Sequence, residues 1–153
     1  MTTLPPTAAP DCEARVRDSF ARQAVMATLG IAPARIAPGA VDLVMAHRAD
    51  LTQQHGFLHA GVVSTALDSA CGYAAFTLMP ADAAVLTIEF KVNLLAPARG
   101  PLFRFEGRVT KAGRTISVVD GRAFQRAAPE AEDSLIATMT ATVMTVLGRG
   151  IAG

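Results

Sequence analysis

The longest apolar stretch of the chain runs from Gly61 to Met79. It holds no Lys, Arg or Glu, and its one charge is Asp68. A helix on a protein surface shows a polar stripe, whereas this run is apolar or small all round, which predicts a buried helix. Asp68, Ser64, Thr65, Ser69 and Gly72 argue against a place in lipid. Much of the run is Ala, Gly, Ser and Cys. Small side chains let another backbone come close, so a sheet wrapped tightly round this helix is expected.

The pattern before and after the run gives the other elements. Asp11 is placed to cap a first helix, CEARVRDSFARQAVMATL, with Gly30 as its stop. Val16, Phe20, Val25, Met26 and Leu29 give that helix an apolar face. Segments 31–36 and 40–47 read as strands about a Pro38-Gly39 turn. Segment 48–59 is a polar loop leading into the central helix. After it, Pro80-Ala81-Asp82 is a turn, and VLTIEFKVNLLAP is a strongly alternating strand. Leu86, Ile88, Phe90, Val92 and Leu94 fall on one face; Thr87, Glu89, Lys91 and Asn93 fall on the other. Segments 102–110 and 115–125 read as a hairpin whose turn, Lys111-Ala112-Gly113-Arg114, carries a glycine where positive φ is expected. Segment 134–147 is a last strand. Helix and strands are grouped rather than alternating, and the late connections are short. The expected class is α+β, with an antiparallel meander curled round one long central helix.

Composition narrows the setting. The chain has 153 residues, one domain's worth, with 51% hydrophobic and 18% charged residues. That is more apolar surface than one chain of this size readily hides, so an oligomer is expected. A net charge of +1 with mixed signs leaves no electrostatic footprint for nucleic acid. Cys12 and Cys71 are too few for a disulfide framework, which points to a reducing, cytoplasmic setting. MTTLPPTAAP has neither the basic nor the apolar segment of a signal peptide and reads as a disordered lead-in over 1–10. The expected domain spans 11–148, followed by a loose tail over 149–153.

Two features in and before the central helix bear on chemistry. Asp68 stands among Ala66, Leu67, Ser69 and Ala70. A carboxylate in so apolar a setting is costly unless it is used or well paired, and it is a usable base or nucleophile. The alternative for it is a structural carboxylate that caps a loop or pairs with an Arg. The helix start at Ala60-Gly61 leaves backbone N–H groups free, a site for an anion or for an oxyanion developing on a carbonyl. The alternative there is an ordinary helix start. His59 is placed to cap the helix or to serve the site, and His55 reads as a loop histidine. Two His and one Asp at this spacing offer too few ligands for a metal, and no cofactor is expected. Ala60 and Asp68 are eight residues apart, about 12 Å along a helix axis. Reacting atoms must approach within about 3.5 Å. If both serve one site, they come from different subunits of a two-fold dimer with neighbouring antiparallel helices.

Gln53, His59-Ala60-Gly61 and Asp68 resemble the helix motif of the hotdog-fold acyl-CoA thioesterases, in particular the PaaI-like (phenylacetic-acid-degradation type) family. The strand LTIEFKVNLLAPARG is similar to the strand that follows the helix in that family. The resemblance covers roughly residues 48–125. It implies hydrolysis of an acyl-CoA thioester to free acid and CoA by a homodimer or a dimer of dimers. By position it makes Asp68 the catalytic nucleophile or base and Ala60 the residue whose N–H polarises the thioester carbonyl. Gln53 becomes the amide that positions thioester or water, with His59 and Gly61 supporting the oxyanion site. Thr87 falls where some members hold a water-orienting Ser or Thr, although the alternation above turns it away from the helix. Ala60 stands where the family has Gly, and its backbone N–H survives that change. CoA phosphates would meet Arg99, Lys111, Gly113 and Arg114, each otherwise a solvated loop position. Phe57, Leu58, Phe76 and Met79 are expected in the acyl pocket, and one Tyr with no Trp leans the substrate towards aliphatic acyl groups. The alternatives are a hotdog hydratase or dehydratase acting on acyl thioesters, and a non-catalytic acyl-CoA or fatty-acid binding protein.

Overall fold

The computed structural model describes residues 11–153, and the lead-in expected over 1–10 lies outside them. The first helical region is two helices, α1 (Cys12–Ala21) and α2 (Ala24–Leu29). Asp11 does not cap by its side chain; it adopts a left-handed φ of 66°. The single helix expected there breaks at Gln23, which takes an extended ψ of 91°. Gly30, at φ 70°, ends α2 as expected. Strands β1 (Ile31–Ala37) and β2 (Ala40–Ala46) form a hairpin about Gly39. A short 3-10 turn, Ala49–Leu51, leads towards the central helix α3 (Ala60–Phe76). Four strands follow: β3 (Ala84–Leu94), β4 (Leu102–Lys111), β5 (Ile116–Arg126) and β6 (Ser134–Val146). The fold is α+β, one six-stranded antiparallel sheet curved round α3.

The sheet order is β1-β2-β4-β5-β6-β3. The strands after α3 are therefore not one meander. β4, β5 and β6 follow in turn, but β3 crosses to the far edge and pairs with β6. Short loops fix which strands are neighbours in sequence; they leave open which edge receives a strand whose partner comes some 50 residues later.

α3 meets the sheet most closely at two glycines that lie opposite each other in the β4–β5 register, Gly107 and Gly121. A Cβ on Gly107 would overlap the Ala70 carbonyl, and one on Gly121 would sit 3.0 Å from Cys71 Sγ. Small residues on the helix thus meet missing side chains on the sheet. Leu67, Ala70, Cys71 and Ala74 pack fully buried against Phe105, Val119, Met139 and Val143. The sheet covers the helix on most sides, as expected, and leaves one side open. Gly61 is exposed, Thr65 and Asp68 are half-buried, and a side chain on Gly72 would meet nothing within 4 Å. Gly61, Thr65 and Asp68 recur at helical spacing and make one open stripe, and Gly72, itself buried, continues its line with room for a side chain.

Among the described residues β3 is an edge strand with its outer hydrogen-bonding side unpaired. Ile88 is 53% exposed, Phe90 44% and Leu94 54%. A bulge between Thr87 and Glu89 leaves Ile88 without a partner on β6. On one side of it Thr87 lies opposite buried Val143 and faces the helix. On the other side Phe90, Val92 and Leu94 lie opposite Ala141, Met139 and Ala137, all buried. Glu89 and Asn93 point to the outer face, where they bond Thr142 and Thr138. The expected alternation holds from Glu89 onward and is inverted for Leu86 and Thr87, because one extra residue shifts a period of two by half a cycle.

The segment 149–153 has no regular structure, but its end is tied down. Gly153 N–H donates to the Ala83 carbonyl at 3.1 Å.

Candidate active site

α3 begins at a cap that the sequence supplies directly. His59 has an extended backbone (φ −61°, ψ 137°), and its Nδ1 accepts from Gly61 N–H at 2.9 Å. Its carbonyl accepts from Val62 N–H at 2.9 Å and from Val63 N–H at 3.3 Å. Ala60 N–H has no acceptor among the described residues. The open donor of the first turn is therefore Ala60; Gly61, the other position expected to serve, is occupied by His59. Ala60 takes an ordinary helical backbone, so no glycine is required there.

Ala60 lines a groove of about 360 Å³ with Gln53, Phe57, Leu58, Val63 and Pro97. Gln53 starts the tight turn below this groove: its side-chain oxygen accepts from His55 N–H, and its N–H donates to the Phe57 carbonyl at 2.8 Å. Phe57 and Leu58, expected in an acyl pocket, do line a groove. Phe76 does not; it is a core residue, 1% exposed. Met79 sits at the far end of α3, in a separate cleft with the β4–β5 turn.

Asp68 lies about 12 Å along the helix from Ala60, half-buried on the open stripe. Thr87 Oγ1 donates to Asp68 Oδ1 at 2.7 Å. Thr87 thus touches the carboxylate that the sequence alternation had turned it away from, and the bulge at Ile88 is the cause. Asp68 and Thr87 line a second groove, of about 460 Å³, with Ser19, Gln23, Ser69, Tyr73 and the chain end 151–153. This groove shares no lining residue with the one at Ala60. Within one chain, the carboxylate and the free helix N–H serve different cavities.

The four positions expected to meet CoA phosphates also divide. Arg99 lies 4.7 Å above the ring of Phe57, by the start of α3. Lys111, Gly113 and Arg114 belong to the β4–β5 turn, and Gly113 and Arg114 line the cleft with Ala75, Leu78 and Met79, past the helix's other end. Gly113 is not there for positive φ. A Cβ at Gly113 would overlap the Ile116 carbonyl, so a close backbone approach requires glycine. Among the described residues there is no cluster of three or more His, Cys, Asp or Glu side chains able to hold a metal.

Comparison with known proteins gives this arrangement its family. The model of the thioesterase superfamily matches residues 55–131. The chain belongs to that superfamily. The match takes in Ala60, Asp68, Thr87 and the β4–β5 turn. A thioesterase family protein from Silicibacter pomeroyi superposes with a TM-score of 0.86 at 57% identity, over 90% of this chain and 99% of that one. The PaaI protein of the Escherichia coli phenylacetic acid degradation operon is 17% identical and shares the fold, with a TM-score of 0.79 over 90% of this chain and 94% of its own. A protein of Saccharolobus solfataricus named as an esterase is 33% identical over 109 residues, 71% of this chain and 72% of that one. With a second such protein of the same organism, 39% identical over 75 residues, the match spans about half of its length, 52%. The fold is the PaaI-like hotdog fold, and membership of the thioesterase superfamily supports acyl-thioester hydrolysis as the general activity.

Three polar groups of the Asp68 groove were not found from sequence: Gln23, Ser19 and Tyr73. Gln23 sits at the α1–α2 break, where an uninterrupted helix had been expected. Ser69 Oγ donates to Gln23 Oε1 at 3.1 Å, and Ser19 and Tyr73 share a hydroxyl–hydroxyl bond of 3.2 Å. These contacts cross 46 and 54 residues, and no local pattern announces them.

Proposed function

We propose that this protein hydrolyses acyl-CoA thioesters to free acid and CoA in the cytoplasm, as a homodimer or a dimer of dimers, at sites each built from two subunits. The observation that carries the reading is the separation of two complementary groups. An unpaired N–H at the start of α3 lines one groove, and a carboxylate held by Thr87, further along the helix, lines another. A two-fold partner with its α3 antiparallel would lay its Ala60 beside Asp68 and its Asp68 beside Ala60, completing two equivalent sites. The unpaired β3 edge, with Ile88, Phe90 and Leu94 exposed, supplies apolar surface for such a partner.

The thioester carbonyl oxygen would rest on Ala60 N–H at the positive end of the α3 dipole, where charge develops as the carbonyl is attacked. Asp68 of the other subunit has two courses open. As a base it takes a proton from water while the oxygen adds to the carbonyl carbon. The C–S bond then breaks and the proton passes to the CoA sulfur. As a nucleophile its own oxygen adds, CoA leaves, and water hydrolyses the resulting anhydride. Thr87 fixes the carboxylate's orientation in either course, and Gln53 would place the thioester or the water. The antiparallel arrangement also brings the β4–β5 turn of one subunit towards Arg99 of the partner subunit. Lys111, Arg114, the Gly113 backbone and Arg99 would then meet the CoA phosphates together.

Release of free CoA, read with a thiol reagent over short-, medium-, long-chain and aryl acyl-CoAs, tests the reading. Wild type is expected to turn over part of the panel. Asp68→Asn is expected to keep the fold and lose at least a hundredfold in kcat. Hydrolysis by Asp68→Asn at the wild-type rate would remove Asp68 from the chemistry.

A further inference from the structure

β5 turns a row of apolar and small residues towards α3: Val119, Gly121 and Ala123 are all buried. The next position of that row is Gln125, which lies opposite buried Phe103 on β4. An amide at the end of such a row is costly unless it finds partners. Gln125 finds them in the connection from β3 to β4. Its side-chain oxygen accepts from Arg99 N–H at 2.8 Å and from Gly100 N–H at 3.2 Å, 26 and 25 residues away in sequence.

That connection, 95–101, has no regular structure, and Leu95, Ala96, Pro97 and Ala98 of it wall the groove at Ala60. Backbone bonds hold it on either side of Arg99. Leu95 N–H donates to the Ile136 carbonyl at 2.8 Å, Leu58 N–H to the Ala98 carbonyl at 2.9 Å, and His47 N–H to the Pro101 carbonyl at 2.7 Å. Between Ala98 and Pro101 the tie is Gln125, and among the described residues no other side chain bonds this connection. Arg99 is exposed, yet its guanidinium lies 4.7 Å from the ring centre of Phe57, which lines the same groove. A long side chain gives up rotamer freedom when it grips a ligand. Here the backbone of Arg99 is fixed by Gln125 and its guanidinium rests on Phe57, so part of that loss is taken before any ligand arrives.

We infer that Gln125 is the positioning residue for Arg99, holding it beside the Ala60 groove to grip the phosphates of CoA. This role rests on the acyl-CoA reading above, in which Arg99 meets those phosphates. Gln125 touches no substrate. It acts through the 95–101 connection, and it favours thioesters that carry phosphates over thioesters that lack them.

The test compares hexanoyl-CoA with S-hexanoyl-N-acetylcysteamine, which keeps the thioester and lacks the phosphates. Gln125→Met keeps the length of the side chain and removes its strong acceptor; Gln125→Leu, which removes the acceptor as well, is measured beside it. Wild type is expected to favour the CoA thioester in kcat/KM. Both Gln125 variants are expected to cut that preference at least fivefold, through KM for hexanoyl-CoA rather than through kcat. Arg99→Ala is expected to cut it at least as far, and Arg99→Ala with Gln125→Met no further than Arg99→Ala alone. A full additional loss in the double variant means that Gln125 does not act through Arg99 and overturns the role. So does a preference left unchanged by both Gln125 variants, or a fall of kcat on both thioesters, the mark of a merely structural part. A wild-type preference in Arg99→Ala takes Arg99 off the CoA and removes the positioning role with it. A wild type that hydrolyses neither thioester is titrated by calorimetry with the two hexyl thioethers. Tighter binding of the CoA thioether, lost in Gln125→Met, keeps the positioning role and overturns the hydrolase reading instead; equal binding overturns both.

Discussion

Asp68 and Cys71 sit three residues apart on one helix and have opposite fates. Asp68 lies on the open stripe and receives a hydrogen bond from Thr87. Cys71 faces the sheet, fully buried against Gly121. Burial pushes its thiol from 9.0 up to about 12, and the charges of Asp68 and Asp120 add to the rise. The raised value means that the folded protein holds this proton more tightly than the unfolded chain does. The corresponding stability is whole below pH 9, the unfolded value, and is lost as pH climbs from there towards 12. Unfolding free energy measured in urea between pH 8 and pH 11 is expected to fall more steeply for wild type than for Cys71→Ala, with parallel curves below pH 9. Identical slopes would place the thiol in a wetter site than this one. Residue type and spacing made Gln53, His59, Ala60 and Asp68 legible in the sequence. They did not reveal that His59 consumes the Gly61 N–H, leaving Ala60 as the open donor. That depends on the rotamer of one imidazole.

At the scale of elements, the central helix and all six strands were legible, because long apolar runs and period-two alternation survive any tertiary context. Two features were not. The β3 bulge is a single unpaired residue, and VLTIEFKV looks perfectly regular until it is laid against β6. Its consequence is local and decisive, since it turns Thr87 towards Asp68. The contact of α3 with the sheet is the other. The small residues of the helix predicted a close approach, but the positions that accept it, Gly107 and Gly121, lie 37 and 50 residues further on than the Ala70 and Cys71 they face. Gly107→Ala is expected to destabilise the fold by about 3 kcal/mol, since its Cβ meets the Ala70 backbone and no side chain is there to yield. Equilibrium urea unfolding measures this. A loss below about 0.5 kcal/mol would mean that helix and sheet can move apart at little cost.

The whole molecule poses the question of completeness. One chain presents half of each proposed site, on a face where a helix stripe and a sheet edge are both open. Ala60 is the first helical residue and His59 before it is already extended, so proline fits there and deletes only the N–H. Ala60→Pro and Asp68→Asn are each expected to be folded and nearly inactive. Unfolded together and refolded as an equal mixture, they are expected to recover about a quarter of wild-type activity, because half of the dimers are then mixed and each carries one intact site of two. No recovery would put both groups in a single subunit. By itself, the sequence determined the class of fold, the central helix, the carboxylate and the helix start, because these are fixed by residue type and short-range periodicity. Only the tertiary structure decided the edge position of β3, the face of Thr87, the meeting of Gln23, Ser19 and Tyr73 in the Asp68 groove and the division of Asp68 and Ala60 between two grooves. Each of those depends on contacts between segments far apart in the chain, where the three-dimensional path of the backbone chooses the neighbours.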